Sequence, residues 1–227
     1  MAKKEKRPQY QTPKGEFQYP HLNRPDTREF DDGTTSKPAF KVNLLLEGEV
    51  ADKLKAFLNE QVDESFAEAK AELIASKDGK KVAKAKKMEK AYPYDAEVDA
   101  AGNETGRTIF KFKQNAEIKL RDGTIKAITI PVFDAKGKPL DLKTVKIGGG
   151  TVGYLAYSMR KYFMNATDKA GVTLDLQAAQ IVTLVEYAGK SATSYGFNTD
   201  EDGFSADESA PDATEVGGDE TVDGEDF

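Results

Sequence analysis

A chain of 227 residues with 33 Lys and Arg against 39 Asp and Glu is acidic by six charges, has one histidine and has no cysteine. Disulfides are excluded and a structural zinc site has no thiolates to use. No apolar run approaches the ~20 residues that span a bilayer. The basic start, Met1-Ala2-Lys3-Lys4-Glu5-Lys6-Arg7, lacks the apolar stretch of a secretion signal. One cytoplasmic domain with tails is therefore expected. The net charge hides a division. Residues 192–227 hold twelve acids and no base, so the residues before them carry all 33 bases against 27 acids. An acidic tail tethered to a basic body can compete with nucleic acid for a basic cleft and can recruit partners.

Residues 1–38 contain Pro8, Pro13, Pro20, Pro25 and Pro38 among polar residues and read as an extended arm that needs the domain or a partner to order it. The lone His21 falls in this stretch and reads as a loop residue. Residues 40–46 read as a first strand that Gly48 ends. Val50, Leu54, Phe57, Leu58, Val62, Phe66, Ala69, Leu73 and Ile74 recur mostly at three- and four-residue steps, the apolar face of one long helix. Residues 77–90 hold seven lysines and two acids. They read as a solvated loop or, equally, as a patch that attracts phosphates.

The remainder reads as strands. Residues 108–113 alternate Phe110 and Phe112 with Lys111 and Lys113, which places both lysines on one face. Asp122-Gly123 marks a hairpin turn, residues 125–133 a strand interrupted near Pro131, and residues 135–139 a turn. The triglycine at Gly148, Gly149 and Gly150 precedes a tyrosine-rich strand over 151–163, and strands over 172–177 and 180–187 follow. About five strands and one helix predict a mainly β fold, a five-stranded OB-type barrel with one long helix and a disordered acidic C-terminal tail. The boundaries are an arm over 1–38, the barrel over 39–190 and the tail over 191–227.

Catalytic and cofactor signatures are missing. Gly189-Lys190-Ser191 resembles the end of a phosphate loop, but Leu184 stands where that motif needs glycine. A calcium loop starting at Asn198 would place Ser209 where the bidentate glutamate belongs. One histidine and no cysteine leave few nucleophile–base pairs, and nothing singles out two carboxylates among 39. No enzyme, cofactor or metal is expected. Cations beside aromatic rings are present, the pairing that sequence-tolerant single-strand binding requires. Lys111 and Lys113 interleave with phenylalanines, although buried Phe110 and Phe112 with lysines merely facing water would give the same pattern. Arg160 and Lys161 lie close to Tyr157, Tyr162 and Phe163. Tyr154 and Tyr162 are the better stacking candidates, because tyrosine tolerates partial exposure.

The segments Ile109-Phe110-Lys111-Phe112-Lys113, Asp134-Ala135-Lys136-Gly137-Lys138 and Ile147-Gly148-Gly149-Gly150, with a tail ending Asp226-Phe227, resemble the T7-type bacteriophage single-stranded DNA-binding protein family. The resemblance also takes in residues 1–4, 40–42 and 108–186. It implies an OB-fold protein of the infected bacterial host's cytoplasm that coats single-stranded DNA during phage replication, recombination and repair. It implies a homodimer without membrane attachment. Asp223, Glu225, Asp226 and Phe227 of the tail would recruit the phage DNA polymerase and helicase–primase. It further implies DNA contacts from Lys111 and Lys113, stacking by Tyr162, and basic positions at Lys37 and Lys3. The chain departs from the family after the triglycine, where Val152, Tyr154 and Ala156 stand in place of alternating lysines, so Tyr154 would supply stacking where the family has charge. The rival reading is an acidic-tailed protein-interaction module or chaperone that binds basic proteins and no nucleic acid.

Overall fold

A computed structural model describes residues 7–187 apart from Asp32 and Arg121, together with Gly196. The chain divides into two units, Met1–Ala188 and Gly189–Phe227. The tail over 191–227 thus lies almost wholly outside the described residues. Strands β1 (Gln9–Gln11), β2 (Gly15–Asp26) and β3 (Ala39–Glu47) lead into helices α1 (Gly48–Ala75) and α2 (Gly79–Lys87). Then follow β4 (Glu89–Ala91), β5 (Tyr94–Val98), β6 (Glu104–Asn115), β7 (Glu117–Lys119), β8 (Ile125–Ala127), β9 (Val132–Phe133), β10 (Val152–Met164) and β11 (Lys169–Thr183). Among the described residues no helix is long and apolar enough to cross a membrane.

Five long strands pair in a circuit. β2 pairs with β3, and β3 with β6, both antiparallel. β6 runs parallel to β11, β11 antiparallel to β10, and β10 returns to β2 through Val152↔Glu16 and Gly153↔Gly15. The inward residues of each strand fill one core, with Phe17, Val42, Leu44, Phe110, Phe112, Leu155, Tyr157, Leu174 and Leu176 all buried. Tyr157 is its aromatic hub. Its ring centroid lies 5.3 Å from Phe112 and 5.6 Å from Tyr10, and burial pushes its phenol up to about 12.

Several expectations need correction. The stretch over 1–38 is not an arm outside the domain. β1 pairs with β10, β2 pairs with β3, and Phe17 and Leu22 are wholly buried. The two prolines within β2 are tolerated because it breaks register twice, between Gln18 and His21, where Tyr19 adopts a positive φ of 49° just before Pro20, and between His21 and Asp26, around Pro25. His21 is accordingly a strand residue, half-buried opposite Lys41. Residues 125–133 split into β8 and β9 around Pro131, whereas the strands expected over 172–177 and 180–187 join in the single strand β11, which ends at Thr183. Among the described residues the strands number eleven rather than five and the helices two rather than one.

The long helix forms where its periodicity puts it. Gly48 at φ +60° turns the chain out of β3, and Leu54, Leu58 and Val62 bury one face against the strands. The lysine-rich stretch is the second helix, α2. The Asp78 side chain caps it by accepting from the Lys80 N–H at 2.8 Å, and Lys84, Lys86 and Lys87 sit in its last turn, where the helix dipole favours cations.

Backbone contacts are closest at glycines. A Cβ on Gly148 would stand 3.0 Å from the Tyr187 N and the Val185 O, which accounts for the start of the triglycine by close approach. A Cβ on Gly153 would come within 2.1 Å of the Gln180 carbonyl oxygen. Gly153→Ala therefore has to separate β10 from β11. It is expected to cost at least about 1–3 kcal/mol, the range for overpacked sites, read as a lowered denaturation midpoint at unchanged m-value.

Candidate nucleic-acid interface

The alternation that buries Phe110 and Phe112 turns Lys111 and Lys113 outward, and the register places their neighbours. Lys113 lies opposite Asp175, which lies opposite Ser158, while Thr173 lies opposite Arg160 and Gly171 opposite Tyr162. Opposed residues share a sheet face. Lys111, Lys113, Thr173, Asp175, Arg160 and Tyr162 therefore stand together on the outer face of β6, β11 and β10, in a groove of about 1030 Å³. Arg7, Tyr92, Ile118 and Ile128 also line it. The lining carries four cations, Arg7, Lys111, Lys113 and Arg160, against the one carboxylate of Asp175.

Asp175 is 8% exposed and is held by two arginines. Arg160 donates from Nε at 3.1 Å and Nη2 at 3.0 Å, and Arg7 donates from Nη1 at 3.0 Å. The fork fixes the plane of the Arg160 guanidinium, and with the side chain still 46% exposed its remaining N–H groups are available to an oxygen anion. Lys111 pairs with Asp95 of β5, but both side chains are more than half exposed. Such a pair is worth only about 0–1 kcal/mol, so a phosphate can take its place. Lys113 has no ion pair among the described residues and faces the groove. Tyr162 is half-buried and Tyr92 is 44% exposed, so each presents ring surface for stacking.

The other expected site residues are elsewhere. Lys161 follows Arg160 and so points to the opposite face of β10, where its Nζ meets Glu68 at 2.6 Å and Glu64 at 3.2 Å on α1. That correction follows from strand alternation: two consecutive residues do not share a face. Tyr154 lies on the outer side of β10, but three alternate positions before Arg160. It borders a separate depression of about 630 Å³ with Gln9, Gln11, Phe133 and Gln180. Lys37 is exposed in the segment before β3 and does not line the groove. Lys3, Asp223, Glu225, Asp226 and Phe227 lie outside the described residues. Sequence reading missed Arg7, Tyr92 and Asp175. Arg7 was visible only as part of a basic start, and the other two are brought in by register alone.

Fold and groove define a class: a strand circuit carrying a cationic, aromatic-walled channel on its outer face. The model of the family described as "Single-stranded DNA-binding protein, Bacteriophage T7" matches residues 15–184, and the chain belongs to that family. It is 29% identical over 190 residues to the single-stranded DNA-binding protein of Enterobacteria phage T3, covering 82% of this chain and 79% of that one. It is 33% identical over 128 residues to the protein of the same name in Escherichia phage T7, covering 56% of this chain and 53% of that one. The crystal structure of the T7-encoded single-stranded DNA-binding protein superposes with a TM-score of 0.63 at 22% identity, over 88% of this chain and all of that one. The single-stranded DNA-binding protein of bacteriophage Enc34, in complex with single-stranded DNA, gives 0.50 at 14% identity, over 80% of this chain and 89% of that one.

Proposed function

We propose that this chain is a sequence-tolerant single-stranded DNA-binding protein whose strand lies in the groove of β6, β11 and β10. The observation that carries this reading is the convergence of Lys111, Lys113, Arg160, Tyr162 and Tyr92 on one channel in a member of this family. Cations along a track neutralise phosphates and rings stack bases, and neither contact reads sequence. The five-strand circuit supports an OB-type barrel, with β2, β3, β6, β10 and β11 as its staves and the β6–β11 pair as its parallel closure. The long helix falls between the second and third staves, an uncommon place for it in that barrel.

In this reading the protein acts in phage DNA replication, recombination and repair in the cytoplasm of the infected host, as a homodimer. The acidic tail competes with DNA for the groove cations. When DNA displaces it, Asp223, Glu225, Asp226 and Phe227 are released to recruit the phage polymerase and helicase–primase. A tether raises the tail's effective concentration toward the ~mM range, so weak intrinsic affinity suffices. The test is a titration of fluorescent oligothymidine with the full chain and with a chain ending at Ser191. Truncation is expected to tighten binding at low salt, with the difference shrinking as salt screens the tail. Equal affinities at low salt would overturn the competition. Binding by neither chain, with capture of basic proteins instead, would favour a protein-interaction module.

A further inference from the structure

We infer that α2 is a second phosphate-binding element that extends the groove beyond Tyr162, so that a strand longer than the groove runs on along the lysine helix. This rests on the groove reading given above. α2 carries Lys80, Lys81, Lys84, Lys86 and Lys87 and no acid in nine residues. Lys80, Lys84 and Lys87 recur at i, i+4 and i+7 and so form one row. The helix is held in place rather than free. Ala85 is buried with Leu73, Met88 and Ala170 in a second apolar cluster, against which Phe163 packs. Lys84 donates from Nζ to the Asn165 carbonyl at 2.7 Å and pairs with Asp168 at 3.4 Å.

Those contacts set the helix beside the β10–β11 turn, packed on the face of β10 that carries Lys161, so a strand leaving the groove would reach it by passing the end of the turn. Asn165 directly follows Met164, which lines the groove together with Phe163. On the other side α2 passes through β4, which pairs with β11, and the chain then enters the groove wall at Tyr92 and Pro93. Lys80, Lys81, Lys86 and Lys87 are exposed and have no ion-pair partner among the described residues. A helix needing only a solvated face does not require one sign throughout. Mixed signs would serve solubility as well. An anionic polymer arriving from the groove supplies the counter-charge that Lys80, Lys81, Lys86 and Lys87 lack. At 1.5 Å per residue the helix adds about 13 Å of basic track.

The test compares the full chain with K80Q/K81Q/K86Q/K87Q, glutamine being nearly as good a helix former as lysine. The probes are oligothymidines of about 6 and about 16 nucleotides, near the two ends of single-barrel site sizes. The long oligomer is expected to bind the variant more weakly. The slope of log K against log salt should fall by about 0.7 for each phosphate that α2 no longer neutralises. The short oligomer should bind both proteins alike, and the four-arginine variant should restore long-oligomer affinity. An unchanged slope for the long oligomer overturns the extension, and so does equal weakening at both lengths. If the unaltered chain binds neither oligomer, the groove reading falls and this inference with it.

Discussion

Replacing Lys111, Lys113 and Arg160 together with glutamine should weaken oligothymidine binding on the order of 50-fold near physiological salt. The salt slope should fall by about 2. Each phosphate neutralised on a single strand contributes about 0.7 to the slope, which between 0.15 and 1 M salt corresponds to roughly fourfold in affinity per phosphate, and three such factors multiply. The fold should survive the change. Lys111 and Lys113 are exposed, and Asp175 keeps the 3.0 Å pair with Arg7 when Arg160 is gone. Lys161→Gln is the internal control. Its ammonium is engaged by Glu64 and Glu68 on the other face, so affinity should stay within about twofold under the same electrostatics. A triple variant that bound like the parent at every salt concentration would remove these residues from the DNA track.

The largest effect on stability is expected at Phe112. Its side chain is 2% exposed and edge-packed on Tyr157, which in turn meets the Tyr10 ring that lies 5.4 Å from Phe57 of α1. Phe112→Ala leaves a cavity where β6, β10, β1 and the helix converge. It should cost about 3–5 kcal/mol. For a domain of this size that lowers Tm by roughly 6–20 °C. Calorimetry checks it. Because Phe112 sits between Lys111 and Lys113, the variant also separates core from groove. At a temperature where it remains folded, oligothymidine affinity should be close to that of the parent. A loss of affinity without a loss of stability would mean that the ring contacts DNA.

What the sequence made legible was local in period. Nine apolar residues at helical steps marked α1, and the Phe-Lys-Phe-Lys alternation marked the face of β6 that carries the lysines. The same alternation separates Arg160 and Lys161 onto opposite faces of β10, so proximity in sequence to Tyr162 was no guide to the place of Lys161. β2 was obscured because its prolines resemble a coil signal. Its two buried anchors, Phe17 and Leu22, are an odd number of residues apart, and only the register break at Tyr19 lets both point inward. α2 was obscured by Gly79 and by charge density, although Lys and Ala are good helix formers and Asp78 is a good cap. The membership of Arg7, Tyr92 and Asp175 in the groove was not readable in any local window. The pairings of β11 with β4 and β6 and the reach of Arg7 to a carboxylate 168 positions away bring them there.

The groove itself is tested most directly by ultraviolet cross-linking of the full chain to oligothymidine, followed by identification of the modified residues. Cross-links concentrated at Tyr162 and Tyr92 are the result expected of a strand lying across β6, β11 and β10. Cross-links confined to rings away from the groove, such as Tyr19 or Tyr187, in a chain that binds the oligomer would contradict it.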